Sequence, residues 1–568
     1  MAPSRPGRGA AGSKRRPGGP GGAARTSPRA GTGGAAPAMA ERFRRQAPAV
    51  AFALLALYAS YWGVKAFTEH RIGNYAVETD FYWKYGPAAR DLLQGKVDIA
   101  NYDSKGWGYP AVVALVSVPG IDPFRAAQIL ALLSAVVAAW LVFHTHRKLA
   151  GAGAALGSLL LLLGNETFLV NTYEVGTDMF FFAIAMGSIA LLLARERPAW
   201  AAIVGSGLLA GWAFSTRYNG LFLLPGALAA LLLLDPSRSP WRERLARAGG
   251  WTAAFALAAL PWLVVNAIHT GNPLSNTNYL NVGYEVHGQG NWEQFFYGGD
   301  RKIDSFADVV MLDPGKFATV MARNVWGHLR QDLSDLLPVL WGVLVVAGGL
   351  LMIRDRPGRR TAGYAVFWAL YFLTLVPVFY GTRFSMPLLA AYALLGAWPF
   401  VSPALGRMLA GVERSFPVRA VLFLALWIGP TMAAHRAVED PRNPESVAHG
   451  PYEILPATDF LLENGKGEGL LARKPHAAYL AQMRFIPIPA VDSPAALHEV
   501  AVKERAKYVL VSSAEMGMRA AMRVFATGAE IPGFALAYDS PGALVFEVRP
   551  MPSAGRIPGA PENVPGGH

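Results

Sequence analysis

Apolar runs recur along the chain at 48–67, 123–144, 150–170, 175–194, 199–215, 218–234, 250–268, 335–353, 362–381, 384–401 and 418–435. A hydrocarbon core about 30 Å thick takes ~20 helical residues to cross. Lipid offers no partner for a free backbone N–H or C=O, so runs of this kind are predicted as helices. A twelfth apolar stretch, 106–120, is shorter and is bracketed by Pro110 and Pro119.

The polar positions between the runs decide how they thread. If 106–120 does not cross, the basic groups at 144–148, 195–197, 238–247, 354–360 and 407–419 all fall on the same side as Arg42, Arg44 and Arg45. If it crosses, all five move to the other side. Basic loops stay cytoplasmic, so the pattern predicts about eleven transmembrane helices, a cytoplasmic N-terminus, and a membrane-surface or re-entrant segment at 106–120. Outside the membrane lie a loop at 68–122, helical over 82–94, and a polar, aromatic-rich loop at 269–334. Beyond the last span, 436–550 alternates helix (457–464, 493–504) with strand (469–472, 484–488, 508–512, 543–549), the signature of a small α/β unit. The predicted fold class is an all-α polytopic membrane domain, 48–435, followed by a small α/β soluble C-terminal domain on the periplasmic or extracellular side.

Composition agrees: 53% of the 568 residues are hydrophobic and 16% charged, against about a quarter charged in a soluble domain. Net charge is +13, much of it in residues 1–47, where ten Lys/Arg face the single acid Glu41. That Gly/Pro/Ala-rich stretch buries too little apolar surface to fold. It reads as a disordered cytoplasmic tail that helps fix orientation, not as a nucleic-acid arm; 551–568 is a second disordered tail. The first apolar run is too long for a signal peptide and lacks a small-residue exit, so it reads as an uncleaved anchor. With no cysteine, thiol catalysis, disulfides and thiolate metal sites are excluded. His269, His287 and His328 are too scattered to read as a metal site, and no metal or cofactor is assigned.

Candidate chemistry gathers at the predicted outer ends of the spans. Asp80 follows the first span by a dozen residues and opens an aromatic-rich helical segment. There it can act as a general base toward an acceptor hydroxyl or amine, or cap the helix; read alone, the segment favours the cap. Lys84 and Arg90 follow, placed to meet an anionic phosphate. Glu174 and Asp178 stand four apart, hence on one helical face; as acids at membrane depth they mark either a functional site or a hydrogen bond between spans. Arg217 and Arg383 each sit beside an aromatic residue in a tight outer turn. This runs against the charge rule and suits bidentate phosphate contacts or snorkelling to headgroups.

These pieces, in this order, resemble the type-C fold (GT-C) glycosyltransferases that use polyprenyl-phosphate sugars, especially the protein-O-mannosyltransferase and lipid A aminoarabinose-transferase group. The likeness runs through Asp80, Ala89-Arg90-x-Leu92-Leu93-x-Gly95, Trp107-Gly108-Tyr109-Pro110, Asp178 and Thr216-Arg217-Tyr218. It continues through Pro261-Trp262, Asn266, Thr270-Gly271-Asn272-Pro273, Arg383-Phe384-x-x-Pro387, Lys474-Pro475-His476-Ala477-Ala478-Tyr479-Leu480 and Ala506-Lys507-Tyr508-Val509-Leu510-Val511. Where many relatives follow the first-loop acid with Glu, this chain has Phe81.

The resemblance implies an inverting transfer from a polyprenyl-phosphate sugar donor to a lipid, protein or polysaccharide acceptor at the periplasmic face of a bacterial inner membrane. It implies Asp80 as base, Arg217, Arg383 and Lys84 on the donor phosphate, and Asp178 with Glu174 orienting the acceptor. The alternative is a transporter or lipid-linked-sugar flippase. Against it stand the absence of an inverted repeat in the sequence and of paired Gly/Pro-broken spans. A non-enzymatic scaffold leaves the outer acids and arginines unexplained.

Overall fold

The computed structural model describes residues 35–235, 237–288, 290–297, 303–408 and 416–551. The tails predicted to be disordered fall largely outside them. Two compact units separate, Met1–Gln46 and Ala47–His568. The described part of the first is helical, with an exposed Arg45–Glu41 pair at 3.0 Å. The second holds the apolar runs and the C-terminal domain.

All eleven apolar runs are helical. In chain order the helices are α1 (Ala35–Thr68), α2 (Gly86–Leu93), α3 (Gly108–Ser117), α4 (Pro123–Leu163), α5 (Glu166–Tyr173), α6 (Thr177–Leu193) and α7 (Trp200–Thr216). Then come α8 (Tyr218–Leu233), α9 (Trp241–Thr270), α10 (Tyr279–His287), α11 (Trp292–Tyr297), α12 (Phe306–Met311) and α13 (Pro314–Gln331). The bundle closes with α14 (Val339–Asp355), α15 (Arg359–Leu375), α16 (Thr382–Arg407) and α17 (Phe416–Glu439).

By length and apolarity, five described helices can cross a membrane alone, and a sixth span forms if α5 and α6 are taken together. Two predicted runs, 123–144 and 150–170, share α4, which kinks at Gly151, where φ is +90°. α3 has ten residues, about 15 Å at 1.5 Å per residue, half of what a crossing needs.

Glu174 and Asp178 do not share a helical face. α5 stops at Tyr173, Glu174 and Gly176 are extended, and α6 leaves at 108° to α5. Gly176, three residues after the last helical position, is the local reason the four-residue spacing fails.

The C-terminal unit is a five-stranded sheet in the order β2-β1-β3-β5-β4. Its strands are β1 (Gly469–Ala472), β2 (Arg484–Pro487), β3 (Ala506–Ser512), β4 (Phe534–Ser540) and β5 (Ala543–Val548). β1 pairs parallel with β2 and β3, whereas β5 is antiparallel to β3 and β4. Helices α18 (Leu455–Gly465), α19 (His476–Leu480) and α20 (Pro494–Lys503) precede and connect the parallel strands, as parallel pairing requires. One continuous core, including Phe81, Tyr82, Tyr109, Phe124, Tyr479 and Tyr508, joins the first loop, α3, α4 and this sheet. The first loop is therefore clamped between bundle and C-terminal domain.

Candidate functional site

Asp80 opens a π-helical turn, Phe81–Tyr85, that runs into α2. Its carboxylate does not fold back to cap that helix; it turns to Lys105, with Oδ2 3.0 Å from Nζ. The Lys105 ammonium also donates to the Tyr85 hydroxyl and lies 5.0 Å from the centre of that ring. The Asp80 side chain is half-buried; desolvation would raise its pKa, but the charges of Lys105, Arg383 and Arg217 outweigh it and hold the carboxyl below the usual range. Lys105 feels the converse. Burial, reinforced by Arg217 and Arg383, lowers its pKa despite the attraction of Asp80 and Asp178. Two acids and three cations thus share one local field.

Arg217 ends α7 in an extended conformation. Its guanidinium pairs with the Asp178 carboxylate and donates to Thr177 Oγ1 at 3.0 Å, and both members of the ion pair are buried. The Phe384 ring packs against two guanidiniums, with Arg217 5.6 Å and Arg383 4.7 Å from its centre. The Arg383 turn is held from α15, where the Tyr371 hydroxyl donates to Phe384 O at 2.7 Å.

Lys105 stands out in the structure and not in the sequence, yet its placement explains several of the sequence motifs. A Cβ on Gly106 would collide with the Ser215 carbonyl oxygen, so the residue after Lys105 lies flush on the end of α7, next to Arg217. From the other side, Thr277 N donates to Asp103 O at 2.7 Å and Asn278 Nδ2 to Ser104 O at 2.7 Å. That loop is anchored in turn by Asn266, whose amide donates to Pro273 O (3.0 Å) and Ser275 O (2.9 Å).

Three expected residues are not brought to this cluster. Lys84 is engaged elsewhere, with Nζ 2.8 Å from Ala100 O and 3.1 Å from Asp103 Oδ2. Arg90 stacks on Tyr479 at 3.7 Å and donates to its carbonyl at 3.1 Å. Glu174, displaced by the break after α5, accepts from Asn74 Nδ2 at 2.5 Å in a separate buried network. At its centre Glu78 accepts from His70 Nε2 (2.8 Å), Asn74 N (2.7 Å) and Val175 N (2.7 Å). His476 of α19 reaches the same network, with Nε2 3.1 Å from Asn74 O and its ring stacked on Tyr82 at 4.0 Å. Among the described residues, no group of three or more His, Asp or Glu side chains is arranged to hold a metal ion.

Residues 111–264 match the family model described as dolichyl-phosphate-mannose-protein mannosyltransferase. The structure superposes on ArnT from Cupriavidus metallidurans bound to undecaprenyl phosphate (TM-score 0.51, 13% identity, 87% of this chain and 98% of that one). It also superposes on the oligosaccharyltransferase of Archaeoglobus fulgidus in complex with zinc and sulfate (TM-score 0.56, 14% identity, 88% and 73%). The chain has the fold of the GT-C glycosyltransferases. A third GT-C structure, AglB from Archaeoglobus fulgidus with an inhibitory peptide and a dolichol-phosphate, aligns at TM-score 0.53 and 13% identity over 88% of this chain and 74% of that one. No curated protein matches this chain by sequence.

Proposed function

We propose that this GT-C protein is a membrane glycosyltransferase that moves a sugar from a polyprenyl-phosphate donor to an acceptor hydroxyl or amine. The observation that carries this reading is the recess in which Asp80 and Lys105 stand 3.0 Å apart, within the field of Arg217 and Arg383. A carboxylate kept ionised beside three cations suits a reaction that removes a proton at one atom and releases a phosphate at another. The neighbours in complex with undecaprenyl phosphate and dolichol-phosphate support a lipid-linked donor.

Asp80 accepts the acceptor's proton as that oxygen or nitrogen attacks the anomeric carbon. The bond from that carbon to the phosphate oxygen breaks on the opposite face, and its electron pair leaves with the polyprenyl phosphate. The configuration therefore inverts. Lys105, Arg217 and Arg383 hold the phosphate and stabilise the charge it gains. Asp178 aims the Arg217 guanidinium and offsets its charge when no donor is bound. Lys84 and Glu174 have no part in this scheme.

The site lies at one end of the bundle, since Asp178 opens α6 and Arg217 closes α7. The basic loop at 195–197 joins their other ends. By the positive-inside rule, that loop is cytoplasmic and the site, with the C-terminal domain over it, faces the periplasm of a bacterial inner membrane. Ionisable side chains collected at span ends suit interfacial chemistry better than alternating access.

The test offers purified protein in nanodiscs a panel of polyprenyl-phosphate sugars with membrane extract as acceptor. Sugar transfer with release of polyprenyl phosphate is expected. Vectorial movement of the intact lipid-linked sugar without transfer would instead establish the flippase.

A further inference from the structure

A second cluster of cations lies at the end of the bundle away from Asp80. α6 carries Asp178 in its first turn and Leu193 as its last residue, fifteen residues on, or about 22 Å at 1.5 Å per residue. A cleft opens at that far end. Leu193, Leu231 and Leu234 form its apolar wall, and Arg247, Arg359 and Arg360 its polar side.

Two independent features aim positive charge into the cleft. The first is the N-terminus of α15, a seventeen-residue helix that begins at Arg359 behind Gly358. Gly358 offers it no side-chain cap; Thr361 N and Ala362 N donate to Gly358 O, and the positive end of the helix dipole lies at the cleft-lining Arg359 and Arg360. The second is Arg247, 7% exposed. One of its terminal nitrogens meets Glu243 Oε1 at 2.7 Å, while its Nε–H is buried without a hydrogen-bond partner among the described residues. A buried donor left unpaired is costly, and an anionic oxygen is the group that relieves it best.

Arg359 spends one N–H on Asp235 O (3.3 Å), and Arg360 spends two on Ala194 O (3.4 Å) and Lys148 O (2.8 Å). A guanidinium has five donors, so both retain capacity. Of the two acids at the cleft, Asp235 is already committed. It accepts from Ser237 N (3.0 Å) and Ser239 N (2.9 Å) and pairs with Arg244 at 3.5 Å. Glu196 is exposed.

We infer that this cleft binds a phosphate group, and that its occupant is the headgroup phosphate of an anionic phospholipid in the leaflet opposite the Asp80 site. The arginines and the α15 N-terminus take the phosphate oxygens. The leucine wall, continuous with the apolar ends of α6 and α8, takes the first carbons below the headgroup; a free phosphate has no use for it. The site is independent of the proposed transfer reaction.

Thermal unfolding of the full chain in a zwitterionic detergent tests the assignment, with three added ligands: short-chain phosphatidylglycerol, the matching phosphatidylcholine, and inorganic phosphate. A ligand that binds only the folded state raises Tm with its concentration. Phosphatidylglycerol is expected to raise Tm in a saturable way and the other two to leave it unchanged. In R359Q/R360Q the apparent affinity should fall about tenfold or more, the weight of one lost charge-assisted hydrogen bond. Arg359→Gln alone, which loses a single carbonyl contact, serves as the variant least able to disturb folding and should weaken affinity in the same direction. A saturable shift with inorganic phosphate alone would overturn the lipid assignment in favour of a soluble anion. Equal phosphatidylglycerol affinity in wild type and both variants, or no shift in the wild type, would overturn the site.

Discussion

Lys105 Nζ stands 3.0 Å from Asp80 Oδ2, so the carboxylate at the centre of the site takes its nearest cation from the segment that leads into α3. That pairing sets the pH range in which Asp80 is a base. Because the neighbouring charges hold its pKa below the usual carboxylate value, the acid limb of kcat/KM should lie below about pH 4, the ordinary Asp range. In Lys105→Met, burial is opposed by fewer charges, the Asp80 pKa rises, and the limb should move to higher pH. The same variant should lose roughly 10²–10³ in kcat at neutral pH, as expected when one stabiliser of a leaving anion is removed. A pH–rate profile of the two proteins checks both statements.

The Asp178–Arg217 pair is buried on both sides, and removing one partner of such a pair typically costs about 3–5 kcal/mol, because the other charge is left uncompensated. Asp178→Ala should therefore lower Tm in nanodiscs by several degrees as well as abolish transfer. Arg217→Lys keeps a charge but loses the planar fork; it should retain most of the stability and little of the activity. Differential scanning calorimetry beside a transfer assay separates the two effects.

Gly106 lets the Lys105 segment lie flush on the Ser215 carbonyl. A methyl group there forces a shift that costs roughly 1–3 kcal/mol and carries Lys105 away from Asp80. Gly106→Ala should thus depress kcat by an order of magnitude or more with every charged residue of the site intact. It should also raise the acid limb of the pH profile in the same direction as Lys105→Met.

His70 and Glu78 form a buried pair at 2.8 Å. Burial lowers the His70 pKa, but the charge of Glu78 and the hydrogen bond to it outweigh burial, and the net shift is upward. A group whose folded pKa is raised gives stability that is full below its unfolded value, about 6.5, and is lost as pH rises through the folded value. Tm should fall from pH 6 upward in the wild type, and His70→Gln should flatten that slope while lowering Tm at pH 6.

The apolar helices are legible in the sequence because lipid leaves a long apolar run one option, and β1, β2, β3 and β5 because short apolar stretches between turn residues leave few others. β4 is not legible: Phe-Ala-Leu-Ala-Tyr-Asp-Ser lacks a clean two-residue alternation of burial. Of the site residues, Arg217 and Arg383 show in the sequence as charges that run against the expected threading, and Asp178 as an acid at the start of an apolar run. Lys105 bears no such mark, being a lysine in a polar loop. Its one signal is the Gly106-Trp107-Gly108 that follows, where small residues announce close packing. Lys84 stands nearer Asp80 in the chain, but its ammonium is taken by Ala100 O and the Asp103 carboxylate. Glu174 falls away from Asp178 because four-residue spacing means one face only where the helix is unbroken.

If Asp80 is the base of a sugar transfer, its loss should slow the chemical step and spare donor binding. Wild type and Asp80→Asn, matched in Tm and in donor binding, should be compared for transfer from the polyprenyl-phosphate sugar that the wild type uses. The variant should bind donor and lose about 10²–10⁴ in kcat, the usual contribution of a general base. Transfer by Asp80→Asn within a few-fold of wild type would contradict that role and leave Asp80 as no more than the partner of Lys105.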